Sequence, residues 1–271
     1  MIEIIDLSKK YFRAADYSVK NLSLTVGDGE ICGLVGRNGA GKSTTIKCLT
    51  GILPFKEGQI KIDNIDINKE PIKAKEHIGY VPDDHMVYEK LTGREYVNYM
   101  GSLYGVKKQQ KIERLEYFAD LFKLTYALDN QISSYSHGMK QKICIIGSLI
   151  HNPKLWVLDE PMMGLDPQST HEAKKCIVEH ASAGNTVLFS SHNLDIVQKV
   201  CDSVAIIEKG VLTTVIDLNQ AKLDPNFDLE KYFIDSYESD DDELNLYESD
   251  DDDVNAQCDD DDINAQCDDN E

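Results

Sequence analysis

Short apolar segments alternate with amphipathic ones along most of this 271-residue chain. Segments in which apolar residues alternate with polar ones, or follow one another without a break, are typical of β-strands. The predicted strands span residues 2–7, 22–26, 31–35, 59–67 (a pair that turns at Asp63 and Asn64), 78–81, 155–158, 186–190 and 204–207. Helical segments lie between them, starting with residues 42–50. This alternation favours an α/β fold with a mainly parallel sheet covered by helices.

The middle of the chain, from about residue 92 to residue 150, is mostly helical in its pattern. Apolar residues recur there at spacings of three and four, which is the period of one helix face. The first of them are Tyr96, Tyr99, Met100 and Leu103. We therefore predict a helical subdomain at about 84–150, inserted into a domain that spans 1–220 and is followed by a short extension at 221–235.

Charge is distributed unevenly along the sequence. The formal net charge is −20, from 48 acidic and 28 basic residues. Residues 236–271 contain 17 of the acidic residues and none of the basic ones, which leaves 31 acidic and 28 basic residues in the rest of the chain. The acidity argues against nucleic acid as a partner, and it belongs to the tail rather than to the domain.

The acidic tail is also repetitive. Residues 237–242 are identical to 247–252, and residues 255–260 are identical to 264–269. A short polar repeat of high like charge buries too little apolar surface to offset its ordering entropy, so we expect 236–271 to be a disordered low-complexity tail. The alternative is an interaction or cation-binding module. Its Asp runs could bind Ca²⁺ loosely, although the D-x-D-x-D-G spacing of a calcium loop is absent.

Three features of the sequence predict a soluble intracellular protein. No stretch reaches the roughly 18 consecutive apolar residues that span a bilayer. Residues 1–6 lack the basic region and the apolar core of a signal peptide. The seven cysteines form no C-x-x-C pair, which fits reduced thiols that act as small apolar fillers.

A glycine-rich loop follows the predicted strand at 31–35 and precedes the predicted helix at 42–50. It matches the pattern G-x-x-x-x-G-K-[ST], in which glycines let backbone N–H groups turn inward around phosphates. Its residues are Gly36, Arg37, Asn38, Gly39, Ala40, Gly41, Lys42, Ser43 and Thr44. Lys42 can reach the β- and γ-phosphates, and the Ser43 hydroxyl can bind Mg²⁺. The loop therefore predicts a nucleotide site.

Two acidic residues end the apolar strand at 155–158. In an ATPase with such a phosphate loop, a strand-end aspartate helps to hold Mg²⁺, and Asp159 fits this role. Glu160 is then placed to orient or deprotonate the attacking water. Two exposed acids at a strand end are the simpler interpretation, which the neighbouring phosphate loop makes less favourable.

A second glycine-bearing segment precedes the apolar run at 143–150. Ser136 can cap a helix that begins there, and Gly138 lies in its first turn. Such a capped helix N-terminus can receive a phosphate, although a plain helix cap is the simpler interpretation on physical grounds alone.

The order of these motifs resembles the ATP-binding cassette (ABC) family over about residues 2–215. The segment around Ser136 and Gly138 is similar to the family signature LSGGQ, with His137 and Met139 as departures typical of single-cassette exporter subunits. The resemblance implies a P-loop NTPase core with a mainly parallel sheet, an antiparallel β subdomain and an inserted α-helical subdomain. It also implies that Ser136 and Gly138 complete, in trans, the ATP site of a second ATP-binding subunit.

Other functional residues are implied by the same resemblance. Tyr11 matches the aromatic residue that stacks on adenine, and His192 matches the switch histidine that contacts the γ-phosphate. Residues 164–166 match the loop that links the two sites of the dimer, although Asp166-Pro167 also predicts a plain helix start. Without the resemblance, Tyr11 and His192 would be interpreted as structural residues at strand ends.

One position departs from the family pattern. The segment 78–83 resembles one that often ends in a glutamine which contacts Mg²⁺ and the water, and here that residue is Asp83. A carboxylate can ligate Mg²⁺, and we include Asp83 with Ser43 and Asp159 as metal ligands, but it brings a negative charge near the phosphates.

The resemblance implies an ATP-hydrolysing subunit that uses ATP and Mg²⁺ and powers transport, in the export direction, through a separate transmembrane permease. Such a subunit lies in the cytoplasm, on the inner face of the membrane. The alternative is a soluble ABC ATPase of translation or DNA maintenance. Those classes usually carry two cassettes or a long coiled coil, and this chain has one cassette and no sustained heptads. A homodimer and a heterodimer both remain open.

Overall fold

The computed structural model describes residues 1–84 and 87–235, so the predicted acidic tail at 236–271 lies outside the described residues. Contacts divide the chain into two units, the first of which is Met1–Phe227 and the second of which begins at Asp228. The described part of the second unit is helical over residues 229–235. All the elements discussed below belong to the first unit.

A six-stranded sheet forms the centre of the first unit. Its strands, in chain order, are β3 (Ile31–Val35), β6 (Ile78–Val81), β7 (Leu155–Asp159), β8 (Thr186–Ser190), β9 (Ser203–Glu208) and β10 (Val211–Asp217). The spatial order is β10-β9-β3-β8-β7-β6, and all neighbours are parallel except the antiparallel pair of β9 with β10. Every residue of β3, β7 and β8 is buried, as expected for parallel strands that have helices on both faces.

A separate antiparallel sheet is built by the N-terminal strands. It contains β1 (Ile2–Lys9), β2 (Val19–Val26), β4 (Glu57–Ile62) and β5 (Ile65–Asp66), in the order β2-β1-β4-β5. The predicted turn at Asp63 and Asn64 joins the last two strands. Both residues have positive φ, 49° and 64°, as a tight two-residue hairpin requires.

Helices cover the parallel sheet or extend from it. They are α1 (Lys42–Leu49), α2 (Pro71–Glu76), α3 (Gly93–Leu103), α4 (Lys108–Leu121), α5 (His137–Leu149), α6 (Pro167–Ser182), α7 (Leu194–Val200) and α8 (Leu218–Ala221). The helices α3, α4 and α5 lie between β6 and β7 in the chain. The predicted α/β fold class, with a mainly parallel sheet, an antiparallel sheet and helices, is confirmed.

The spacing of apolar residues by three and four does not predict which residues of α3 are buried. Tyr96 and Val97 are buried in this helix, whereas Tyr99 is 43% exposed and Leu103 is 61% exposed. The apolar pattern of the sequence does not predict the strand β10 or the short helix α2. In β10 exposed residues alternate with half-buried ones, so this edge strand lacks the buried side of an ordinary strand pattern.

Two histidines of the first unit pack against aromatic side chains. The His151 ring is stacked on Tyr104, with 3.6 Å between ring centroids, and His180 meets Trp156 edge-on at 5.5 Å. Burial lowers the pKa of His151 to about 4 and the pKa of His180 to about 4, from an ordinary 6.5. Both rings are therefore neutral in the folded protein near pH 6.

We expect the free energy of unfolding to fall as the pH decreases from about 6.5 to about 4, because the unfolded chain binds protons there that the folded chain does not. The loss should approach roughly 1 kcal/mol per pH unit for each histidine. Urea denaturation at several pH values measures it. Replacing His180 by Gln should reduce the slope, whereas replacing the exposed His171 by Gln should not; equal slopes in all three proteins would contradict the prediction.

Candidate functional site

The glycine-rich loop connects the buried strand β3 to helix α1, as the sequence predicted. Gly36 has a φ of 157°, and a Cβ atom there would lie 2.2 Å from the carbonyl oxygen of Ile207 in the neighbouring strand. No other residue type fits that close approach. Gly41 is the N-cap of α1, and no described side chain caps the first turn of this helix. The N–H groups of that turn and the positive end of the helix dipole suit a phosphate.

A cavity of about 390 Å³ opens at this loop. It is lined by Ser18, Asn38, Gly39, Ala40, Gly41, Lys42, Ser43, Thr44, Asp83, Asp159 and Glu160. The structure thus brings most of the predicted phosphate loop together with the three predicted carboxylates. Gly36 and Arg37 do not line the cavity, but their carbonyl oxygens accept hydrogen bonds from the Lys42 Nζ, at 2.6 and 3.2 Å.

The Lys42 side chain is a cation at the wall of this cavity. Burial lowers the pKa of Lys42, and the negative charges of Glu160 and Asp159 oppose that effect. The Nζ group has three donors, and its hydrogen bonds within the described part of the chain go to two backbone carbonyl oxygens. Phosphate oxygens would be stronger partners because they carry charge.

Asp159 is the last residue of β7, and it is buried. Its Oδ1 atom accepts a hydrogen bond from the Ser190 hydroxyl, at 2.6 Å, because β7 and β8 are neighbours in register. Burial raises the pKa of Asp159, the charge of Asp83 raises it further, and the hydrogen bonds of Ser190 and Ser43 lower it. A buried carboxylate of this kind gains from a bound cation.

Glu160 follows Asp159 and has an unusual backbone. Its φ is 50°, in the left-handed region that residues with a Cβ atom seldom adopt. Its backbone N–H donates to the Ser190 Oγ at 3.1 Å, and its Oε2 lies 2.9 Å from the Nδ1 of His192. Burial raises the pKa of Glu160, while His192 opposes the rise. The turn therefore aims the Glu160 carboxylate at the cavity and at His192.

Two predicted residues lie close to the cavity without lining it. The Tyr11 hydroxyl is 3.4 Å from the Thr44 Oγ1, and the Tyr11 side chain is 42% exposed. His192 is 69% exposed and reaches the site through Glu160. Both therefore keep a large surface available to a ligand.

Ser136 and Gly138 are not brought to this cavity within the single chain. Ser136 is the N-cap of α5, and its hydroxyl accepts a hydrogen bond from Met139 N at 3.3 Å, as predicted. A Cβ atom at Gly138 would lie 2.6 Å from the Gly164 carbonyl oxygen, so α5 packs tightly on the loop that precedes α6. That helix begins with Asp166 as its N-cap and Pro167 as its first residue, also as predicted.

The first turns of α5 are tied to the loop that follows Glu160. The buried Gln141 donates to the Pro161 carbonyl oxygen at 2.7 Å, and Lys142 pairs with Asp166 at 2.9 Å. The Asp166 pKa is well below its ordinary value because Ser169 and Lys142 stabilise the carboxylate. The two segments therefore form one packed unit.

Sequence reasoning missed two residues of the site. Ser190 links Asp159 and Glu160, and a signal for it existed, since it is a polar residue at the end of an apolar strand. Ser18 lines the cavity from the segment before β2, and no motif indicates it.

Comparisons with known proteins identify the family. The profile described as ABC transporter matches residues 19–163. The chain belongs to the ABC transporter family. The linearmycin resistance ATP-binding protein LnrL of Bacillus subtilis is 34% identical to this ABC chain over 215 residues, which cover 79% of the chain and 68% of that protein. The ABC transporter ATP-binding protein NatA of the same organism is 33% identical over 78% of the chain and 87% of that protein.

A solved structure of an ATP-binding subunit of an ABC transporter has the same fold. It superposes with a TM-score of 0.82 and 29% identity, over 87% of this chain and 98% of that one. The chain is accordingly an ATP-binding, ATP-hydrolysing subunit of an ABC transporter, as the motifs predicted. No helix in the described part of the chain is long and apolar enough to cross a bilayer.

The donor atoms at the cavity fit the Mg²⁺ ion that such an ATPase implies. Ser43, Asp159 and Asp83 offer a hydroxyl and two carboxylates, and Mg²⁺ prefers oxygen ligands. Among the described residues, no group of three His, Cys, Asp or Glu side chains could hold a metal by itself. Mg²⁺ is usually held by one or two carboxylates together with the phosphates of a nucleotide, which agrees with this set.

Proposed function

We propose that the triphosphate of one ATP molecule occupies the cavity at the loop of residues 36–44. The observation that carries this proposal is the cavity that unites the backbone N–H groups of that loop with Lys42, Asp159 and Glu160. Lys42 exchanges its two carbonyl partners for oxygens of the β- and γ-phosphates. Tyr11, which stays 42% exposed beside Thr44, stacks on the adenine.

Ser43, Asp159 and Asp83 are the proposed residues that hold Mg²⁺ with the phosphates. When held by these residues, Mg²⁺ would supply positive charge that stabilises the phosphoryl group during its transfer. Ser190 fixes the Asp159 carboxylate through its 2.6 Å hydrogen bond, so that this carboxylate keeps one orientation towards the cavity.

Glu160 is the proposed general base of hydrolysis. It orients a water molecule and accepts its proton as the water oxygen bonds to the γ-phosphorus. The bond from that phosphorus to the bridging oxygen breaks, and ADP leaves with that oxygen. Burial raises the pKa of its carboxyl group, which makes Glu160 a better proton acceptor than an exposed glutamate. His192, 2.9 Å from Glu160, holds the carboxylate and contacts the γ-phosphate.

Ser136 and Gly138 act, in this proposal, on the ATP held by a second ATP-binding subunit. They begin a 13-residue helix whose N-terminal N–H groups suit a phosphate, and they do not line the cavity of their own chain. Two chains would then enclose two ATP molecules between them, and hydrolysis would allow the two chains to separate.

The ATPase would drive a transmembrane permease from the cytoplasmic face of the membrane, in the direction of export. The direction is supported by the similarity to LnrL, whose name describes resistance to linearmycin. The direction of transport can be measured in inside-out vesicles that contain the permease complex. Export predicts ATP-dependent accumulation of substrate inside these vesicles. Loss of substrate from loaded vesicles would indicate import.

The in-trans role of Ser136 can be tested with two substitutions that keep the helix cap. Asn and Asp cap helices about as well as Ser, so Ser136→Asn and Ser136→Asp should fold alike and differ by one charge. In a Glu160→Gln background, light scattering should detect an MgATP-dependent dimer for Ser136→Asn and mainly monomer for Ser136→Asp, because the added carboxylate repels the partner's phosphates. Equal dimerisation of both variants would contradict the proposal.

A further inference from the structure

The cavity that would receive a polyanion has an excess of negative side chains. Asp83, Asp159 and Glu160 all line it, and Lys42 is the one lysine among the described residues that do so. Asp83 and Asp159 meet there because they follow or end the neighbouring parallel strands β6 and β7, in which Val81 is paired with Leu158. The register of the sheet therefore places both carboxylates at the same side of the cavity.

Two of these three carboxylates have hydrogen-bond or ion-pair partners among the described residues. Asp159 accepts a hydrogen bond from Ser190, and Glu160 lies against His192. Within residues 1–84 and 87–235, the Asp83 carboxylate has no hydrogen bond or ion pair, and its side chain is exposed at the cavity. Its charge is thus available to act on whatever enters.

ATP without a metal carries about four negative charges at neutral pH, and like charges within several ångströms repel in a site of reduced dielectric. A divalent cation bound to the phosphates removes much of that repulsion and converts each nearby carboxylate into an attractive group. Because the described side chains include no group of three metal-binding residues, the cation has to arrive with, or be completed by, the phosphates.

We propose that Asp83 makes nucleotide binding by this chain depend on a divalent cation, because its carboxylate excludes metal-free nucleoside triphosphate from the cavity and accepts the metal complex. This inference rests on the proposed ATP site at residues 36–44. Asp83 is thereby a residue that determines specificity for the form of the nucleotide, and it needs no role in the bond-breaking step. Its exposed position also means that the fold does not depend on it.

Isothermal titration calorimetry tests the inference through binding alone. The Kd for ATP is measured with excess Mg²⁺ and again with EDTA, on the intact chain, and the ratio of the two values is the metal dependence. In the wild type we expect MgATP to bind at least tenfold more tightly than metal-free ATP. In Asp83→Asn the ratio should fall by about tenfold, mainly because metal-free ATP binds more tightly.

Two variants serve as matched controls. Asp84→Asn removes the same charge at the next residue, which does not line the cavity, and it should keep the wild-type ratio. Asp83→Glu keeps the charge and should also keep the ratio. An Asp83→Asn ratio equal to that of the wild type, or an equal fall in Asp84→Asn, would overturn the inference while leaving the ATP site intact. A wild-type protein that binds ATP under neither condition would overturn the proposed site itself.

Discussion

Replacing Lys42 by Ala should reduce ATPase activity to below about 1% of the wild-type rate. It should also weaken MgATP binding by roughly ten- to a hundredfold, because one charge-assisted contact with the phosphates contributes about 1.5–3 kcal/mol. The fold should survive the change. The Nζ atom of Lys42 donates to the carbonyl oxygens of Gly36 and Arg37, which can bind water instead. Phosphate release and calorimetry with MgATP measure the two effects.

Lys47 provides a control for the loss of charge. It lies in the same helix, α1, is exposed and does not line the cavity, and its charge is the smallest of the influences that lower the pKa of Asp159. Lys47→Ala should therefore keep both the ATPase rate and the affinity for MgATP within about twofold of the wild type. If the two alanine variants lose activity equally, helix stability rather than phosphate contact explains the loss.

Replacing Glu160 by Gln should lower the rate of hydrolysis by about 10²–10⁴-fold, the range expected when a general base is removed. The affinity for MgATP should change little, since Gln has the same shape and Lys42 and Asp159 remain. Because burial disfavours the charged carboxylate, the neutral amide should also leave the thermal midpoint unchanged or higher. Single-turnover hydrolysis separates the chemical step from product release.

The control for Glu160→Gln is the same substitution at Glu179. That side chain is 52% exposed on helix α6, away from the cavity, so the variant should hydrolyse ATP at the wild-type rate. Hydrolysis by Glu160→Gln at more than about a tenth of the wild-type rate would exclude Glu160 as the general base, whose contribution is typically about 10²–10⁴-fold.

The phosphate loop was predictable from the sequence because each part of its pattern has a local cause. Gly36 is required by a close approach to a neighbouring strand, and the loop is flanked by an apolar strand and a helix that the pattern also reveals. The N-caps at Ser136 and Asp166 were predictable for the same reason, since a cap contacts residues only three positions further along. The roles assigned to Tyr11, Glu160 and His192 stay predictions.

Contacts between distant segments could not be predicted from one sequence. Ser190 meets Asp159 only because β7 and β8 pair in a particular register, and the pairing joins residues that are 31 positions apart. Ser18 enters the cavity from a segment with no motif of its own. The exposure of Tyr99 and Leu103 in α3 depends on which neighbours cover that helix, and helical spacing alone carries no information about them.

The backbone conformation of Glu160 favours glycine for folding stability, whereas the proposed role of this residue in ATP hydrolysis requires a carboxylate. A residue with a Cβ atom at φ 50° costs about 1 kcal/mol relative to one that tolerates the left-handed region, and glycine tolerates it freely. A collection of random variants selected only for heat resistance would therefore favour glycine at this position. Under the proposed role of Glu160 as general base, such variants would bind ATP but no longer hydrolyse it. Under the same proposal, selection for ATPase activity would act against that substitution even though it stabilises the fold.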